Sequence, residues 1–486
     1  MYSENMSFAA SSVKRHSLPI RKDGALFYTL LFLVFWLPLP LGSNRPWAWA
    51  CMELICYFLL SGAVWVYRDD LLLRLKAYRL PIVLLLIFLA WNLIQFIPMP
   101  EGIIHFLAPA RVNLQQIVPT AETSWLTLSV DPAQTRISFY KSMAYVSLFV
   151  SALLLLNQRK RIIGLMLCIV AAGTLQALYG ALESLSGITR SPIFNLPVTQ
   201  IATGSFVYKN HYANFLMLCL CVGIGYMVST LGAKALSGRR AWMRHFINTL
   251  FSSKALVRIS LAIMVIALVM SRSRMGNSAF FAAMTITGVL GLLLIKNRGK
   301  SLTVLIISLF IIDIFILSAW FGLDKVQERL EQTSLTQESR DEVVLDAIEM
   351  LPQWGITGAG MGSFYGLFPG YQGTDVVLFY DQAHNDYLQF ALEAGIPVTL
   401  ILAGFLGICF WSALRAMATR RKSLMRGMSF ACIMAIIGML THMTVDFPLQ
   451  APANTAYFVL ILALSLISIR LEKQPVSDNT SSLRFG

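Results

Sequence analysis

The chain has 486 residues, of which 56% are hydrophobic and 13% charged, with a formal net charge of +14. A soluble domain carries about 25% charged residues, so the composition excludes an ordinary soluble protein; the length goes into spans of about 20 apolar residues. The basic excess sits in short clusters between apolar runs, which is how membrane proteins anchor their orientation. No nucleic-acid partner is needed to explain it.

In chain order, residues 1–24 are polar, with Lys14, Arg15, Arg21 and Lys22. The apolar run after them ends at Pro38-Leu-Pro40-Leu-Gly42 rather than at a small-residue cleavage site. A cytoplasmic tail is expected here, not a signal peptide. Apolar runs over 25–43, 47–67, 80–97, 138–156, 162–186, 211–231, 258–271, 277–295, 301–321, 395–416, 427–446 and 452–470 predict about twelve transmembrane helices. The seventh run is the shortest.

With the N-terminus inside, alternation leaves about 28 of the 39 Lys and Arg on inner segments. Those segments include Arg159-Lys160-Arg161, Arg239-Arg240, Lys296-Asn-Arg298 and Arg420-Arg421-Lys422. Helices 1–9 then occupy 25–321, a long periplasmic loop with short helices 322–394, and helices 10–12 occupy 395–470. A polar, disordered cytoplasmic tail over 471–486 completes an all-α polytopic membrane protein. The outer segments 98–137, 187–210 and 322–394 are long, and long loops are usually functional.

The seven cysteines lie in apolar runs without zinc-type spacing, so neither a metal site nor a disulfide is expected. Ionisable residues inside spans are scarce: Glu53, Glu183 and Asp313, of which Asp313 is placed deepest. A buried acid is a functional hypothesis by default, but a transporter usually shows several, with broken helices in repeated halves. No such repeat is visible.

The polar residues that stand out fall on outer segments. Asp381-Gln-Ala-His384-Asn385-Asp386-Tyr387 closes the long loop, with Glu393 and Gly395 beyond. It can be read as a capped helix start or as a site, since an imidazole at the membrane boundary suits a general base. Ser271-Arg272-Ser273-Arg274-Met-Gly276 places two arginines outside, against the positive-inside pattern. Such cations call for an anionic partner, and Arg grips phosphate with a planar fork.

Gly204-Ser-Phe206-Val-Tyr208-Lys209-Asn210-His211 offers phosphate or sugar ligands, or equally interfacial aromatics with a cap. Ser339-Arg340 followed by Gly358-Ala-Gly360-Met-Gly362 is a weak phosphate-loop signal, because no strand precedes the glycines. His442 and Asp446, spaced to share a helix face, read most simply as a polar helix end before a Pro-rich turn.

Taken together and in order, these strings resemble the superfamily of O-antigen ligases and Wzy-type polymerases, integral-membrane glycan transferases of bacterial envelopes. The resemblance covers about residues 200–450 and rests most on His384-Asn385-Asp386-Tyr387-Leu388-Gln389 and Ser273-Arg274-Met-Gly276. The segment Gly42-Ser-Asn-Arg45-Pro46-Trp47 also looks like the start of such proteins.

The resemblance implies a GT-C-like helical fold in the bacterial inner membrane, acting at the periplasmic face without metal or other cofactor. It implies transfer of glycan from an undecaprenyl-diphosphate-linked donor to an acceptor sugar hydroxyl. The acceptor would be lipid A–core for a ligase or a second lipid-linked glycan for a polymerase. His384 matches the family's proposed base and Arg274 its diphosphate contact. Arg272, Arg340, Lys209, Asn210, His211 and Asn385 are expected to bind substrate. The family usually has one arginine before the glycine, so Arg272 and Arg274 compete for that contact. A lipid-glycan flippase or another multi-pass transporter is the alternative, predicting charges along a central cavity and internal pseudo-symmetry.

Overall fold

A computed structural model describes residues 23–117, 124–198, 200–230, 253–295, 303, 304, 307, 308, 340–374, 376 and 378–471. Among these the chain is an all-α polytopic membrane protein. Its longer helices are α1 (Gly24–Trp36), α2 (Pro46–Tyr67), α3 (Arg79–Phe96), α4 (Pro132–Leu155), α5 (Arg159–Leu185), α6 (Lys209–Thr230), α7 (Ser253–Met270) and α8 (Arg274–Leu294). They continue with α9 (Arg340–Glu349), α10 (Asp386–Glu393), α11 (Ile396–Thr419), α12 (Ser423–His442) and α13 (Pro452–Arg470). Nine helices among the described residues are long and apolar enough to cross a membrane, while α1 and the Ala255–Met270 part of α7 are shorter. Apart from residues 303, 304, 307 and 308, the expected ninth span, 301–321, and with it Asp313, lies outside the described residues, as do the clusters at 239–240 and 296–298.

Helix boundaries follow local chemistry. The first apolar run is helical over only 13 residues, because Pro38 and Pro40 cannot continue the ladder and the chain turns through Gly42 at φ +66°. Proline stands in the first turn of α2, α4, α11 and α13, where its missing N–H costs nothing. Asp131 caps α4 by accepting from the Ala133 and Gln134 amides at 3.0 and 3.1 Å. Ser273 caps α8 through the Gly276 amide at 3.1 Å.

The bundle has a centre. Of the apolar windows of α6, α12 and α13, 83%, 78% and 83% are buried, against 22% for α2 and α11. The first three are wrapped by the others, and the outer two present broad apolar faces to lipid. α6 and α12 touch backbone to backbone, since a Cβ on Gly225 would lie 2.5 Å from the Gly427 carbonyl oxygen. Small residues of this kind let membrane helices approach closely.

Polar links sort into two ends. At the basic end, buried Arg161 grips Asp23 with both guanidinium nitrogens at 2.6 Å, and Tyr67 also donates to Asp23. Arg470 lies over the Tyr78 ring there. The loop end gathers the turns between α1 and α2, α3 and α4, α5 and α6, α7 and α8, and α12 and α13, together with residues 340–395. A small second core packs here, with Val343, Ala347, Trp354, Phe364, Phe368 and Leu392 buried in it. Residues 99–100 and 125–126 pair as a minimal antiparallel ribbon, β1 and β2.

Candidate functional site at the loop end

The loop-end turns bring together three histidines and one aspartate that are far apart in sequence. His211 is the third residue of α6, His442 closes α12, Asp446 follows it by one helical turn, and His384 lies two residues before α10. His384 Nδ1 is 3.8 Å from Asp446 Oδ1, and His442 Nε2 is 3.7 Å from Asp446 Oδ2. His211, His442 and Asp446 are buried, while His384 is only partly so, with 12% of its side chain exposed against 0% for His442 and 1% for Asp446.

Phe447 is the hub of their packing. It stacks on Tyr208 at 5.5 Å and receives the edges of His211 at 5.0 Å and His384 at 4.8 Å. Burial by itself would raise the Asp446 carboxyl, but the imidazoles of His384 and His442 outweigh it. The group is therefore held well below the usual carboxylate range, and a fixed negative charge sits behind His384.

The string around His384 is what fastens it. Asn385 caps α10, accepting from the Leu388 amide at 3.1 Å and donating to the Thr444 carbonyl at 3.0 Å. The Asp386 amide reaches the Met443 and Asp446 carbonyls at 3.1 and 3.2 Å. Its carboxyl accepts from the Leu449 amide at 3.0 Å and from Gln450 at 3.4 Å. Tyr387 donates to the Leu440 carbonyl at 2.8 Å. The long loop is thereby stitched to the end of α12, with His384 held at φ +51°, a left-handed backbone uncommon outside glycine and a mark of positions the surroundings over-determine.

Two buried carboxyls are shifted the other way. Burial, then the nearness of Asp446 and Glu393, pushes Asp386 up to about 8 despite its hydrogen bonds. Burial pushes Glu393 up to about 7. Glu393 receives the Gly362 and Phe364 amides at 2.9 and 3.2 Å. The glycine turn 358–362 and the residues just after it therefore cradle a carboxyl group, one supplied by their own chain. Its φ values of +75°, +103° and +79° need glycine, and a Cβ at Gly358 would sit 2.2 Å from the Glu393 carbonyl oxygen.

Arg272 and Arg274 lie at the α7–α8 turn, both exposed. Among the described residues no carboxylate lies within ion-pair distance of either. Gly276 sets their location: a Cβ there would be 2.5 Å from that of Ala213. The start of α8 thus abuts the start of α6 two residues from His211, and the arginines belong to the same end as the histidines. Arg272 also has positive φ, +48°.

The remaining expected ligands divide. Asn210 is buried and donates to the Tyr208 hydroxyl at 2.7 Å, and Lys209, half-buried, opens α6. Asn385 has both side-chain polar groups engaged within the chain. Arg340 starts α9, whose Val343 and Ala347 pack in the second core; its side chain is outside the described set.

Sequence reading takes His442 and Asp446 for a polar helix end, sees in Asn214 only a helix cap, and gives Phe447 no role. The i, i+4 spacing of His442 and Asp446 was a signal. Nothing local could show that the turn carrying them folds under a loop 60 residues away.

Beneath that loop lies a cavity of about 230 Å³ between α3, α4, α11 and α13, roofed by Asp386, Tyr387 and Met443. Apart from Lys141, Asp386 and a few hydroxyls and amides, its walls are apolar.

A many-spanning helical membrane protein with a histidine–carboxylate cluster at the same end as two exposed arginines is the class this fold and site define. Residues 259–403 match the family model described as O-Antigen ligase, just under a third of the chain. The match runs from α7 into α11 and takes in Arg272, Arg274, Arg340, His384 and Asn385. It supports the O-antigen ligase and Wzy-type superfamily, and with it an enzyme of the glycosyltransferase type working on a lipid-linked glycan. No curated protein matches the chain.

Proposed function

We propose that this protein transfers a glycan from an undecaprenyl-diphosphate-linked donor to a sugar hydroxyl of a second substrate. The site of transfer is the periplasmic face of the bacterial inner membrane. The acceptor is a second lipid-linked glycan or lipid A–core. The observation that carries this reading is the pairing of His384 with the Asp446 carboxylate on the end of the bundle that bears two exposed arginines, neither with a carboxylate partner among the described residues.

With Nδ1 turned to Asp446, Nε2 is the His384 nitrogen left for substrate, and it takes the proton of the attacking hydroxyl. The hydroxyl oxygen bonds to the anomeric carbon as the bond from that carbon to the diphosphate oxygen breaks. The leaving diphosphate keeps the electron pair, and Arg274, joined by Arg272, stabilises its growing charge. Asp446 holds the His384 ring in place and steadies the imidazolium that forms. The contacts of 3.7–3.8 Å are long for hydrogen bonds, as is common before substrate tightens a site. The apolar cavity under the loop suits a hydrocarbon chain, as a lipid-linked substrate requires. Lys209, His211 and Arg340 are the further contacts we assign to phosphate or sugar. Asn210 and Asn385 act by shaping the site.

The test is deletion of the gene and its replacement by His384→Ala or Arg274→Ala at matched protein level. Both variants are expected to lose long-chain glycan. Build-up of single lipid-linked repeats identifies a polymerase; build-up of finished polymer on its carrier identifies a ligase. Normal glycan in both variants would sink the mechanism.

A further inference from the structure

Asp446 has two carboxylate oxygens, and each faces a different histidine. Oδ1 serves His384, which the proposed chemistry uses. Oδ2 faces His442, which is fully buried and cannot meet a substrate. On its other side, His442 Nδ1 is 3.1 Å from the side-chain nitrogen of Asn214 on α6, itself fully buried. Met439 Sδ lies 3.6 Å from that same nitrogen.

The protonation of His442 follows from these neighbours. An amide nitrogen only donates, so Nδ1 accepts and the ring proton sits on Nε2, facing Asp446. The reverse arrangement, with the Asn214 amide turned about, would aim an Nε2 lone pair at a carboxylate 3.7 Å away, and repulsion disfavours it. Other titratable groups surround the pair. His211 reaches Asp446 from α6, His384 from the long loop and Asp386 from α10. Tyr208 and Tyr380 pack on the outer histidines.

We propose that His442 is a positioning residue, whose Nε2–H, set in that tautomer by Asn214, fixes the Asp446 carboxylate so that its other oxygen is aimed at His384. The chain Asn214–His442–Asp446–His384 crosses from the buried centre of the bundle, where α6 and α12 touch, to the reacting end. A buried polar network is costly unless its members are satisfied together. His442 lies outside residues 259–403, the stretch matched by the O-antigen ligase family model, and its role rests on the proposed role of His384.

The experiment uses full-length protein with ¹⁵N-labelled histidine in lipid nanodiscs at neutral pH, with the His442 resonances identified by their loss in His442→Gln. The expected spectrum has His442 Nδ1 unprotonated and Nε2 protonated, and Asn214→Leu mixes the tautomers. In cells deleted for the gene, His442→Gln, which keeps an N–H near the Nε2 position, holds long-chain glycan within about threefold of wild type. His442→Leu lowers it roughly tenfold or more at matched protein level, the scale of lost outer-layer hydrogen bonds.

A proton on Nδ1 in the wild type overturns the proposal. So does full glycan in His442→Leu, or His442→Gln performing no better than the leucine variant. His384→Ala, carried in parallel, separates two failures. Normal glycan there removes the proposed site itself; lost glycan there with a fully active His442→Leu removes only the positioning role.

Discussion

Among single residues, the two arginines and Asp446 carry the most direct consequences. Arg272 and Arg274 are exposed cations on an apolar-rich molecule, next to a cluster that ends in one fixed negative charge. If Arg274 grips a diphosphate with its fork, Arg274→Lys keeps the charge but loses the two-pronged contact. Transfer measured on membranes should then fall, though less than in Arg274→Ala, for which about 10²–10³-fold is expected from losing one charge-stabilising donor. Equal activity of the lysine variant and wild type would argue that only charge matters there.

Asp446→Asn preserves shape and removes the charge that holds His384. Activity is expected to drop about 10²–10⁴-fold, the usual span for disabling a general base, with little change in protein level. A variant as active as wild type would show that His384 needs no carboxylate.

At the scale of elements, the helix α10 and the glycine turn beside it form one locked unit. Its two acids set a pH dependence of stability. Asp386, near 8, and Glu393, near 7, lie above their ordinary values of 3.8 and 4.5, so the folded protein binds more protons than the unfolded chain between these limits. Their stabilisation is complete below the ordinary values and is lost as pH rises through 7 and 8. Asp446 is shifted the opposite way, and its contribution disappears only as pH falls below the ordinary carboxylate range. The detergent-solubilised protein should therefore unfold at lower temperature at pH 8.5 than at pH 5.5, and Asp386→Asn should flatten that slope. An unchanged slope in the variant would remove Asp386 as its source.

Glu393→Gln replaces an acceptor by a donor opposite the Gly362 or Phe364 amide. It should destabilise by about 1–3 kcal/mol, the cost of leaving a buried polar group unmet.

Helix contacts give a further prediction. Gly276→Val would drive a branched side chain into Ala213, where even a Cβ is at 2.5 Å. The start of α8 must then move off α6, carrying Arg274 with it. Transfer should fall along with about 1–3 kcal/mol of stability, whereas a Ser278→Val change two residues on, at a half-buried position, should leave both nearly unaltered.

For the whole molecule, the consequence is sidedness. All the candidate residues lie at the end opposite the Asp23–Arg161 pair and the basic cluster at 420–422. If that basic end is cytoplasmic, a cysteine at Leu345, an exposed position on α9, should react with a membrane-impermeant maleimide added to spheroplasts. One at Lys422 should react only after the membrane is opened. The reverse pattern would invert the orientation.

The sequence by itself determined the class, the approximate helix ends and the end of the molecule where the conspicuous polar residues gather. Each rests on local or one-dimensional physics: apolar runs long enough to span, prolines and caps at helix starts, and cations sorted between alternate segments. It also picked out His384, Arg272 and Arg274, because an imidazole and two arginines are conspicuous where spans emerge. Only the tertiary structure decided which residues His384 meets. Asp446, His442 and Asn214 look like helix ends and a polar residue within a span until α6, α12 and the long loop are folded together. The glycine turn, read as an anion loop, proved to cradle Glu393 for the same reason. Partners that are 60 to 230 positions apart are chosen by packing, and packing leaves no period in the sequence.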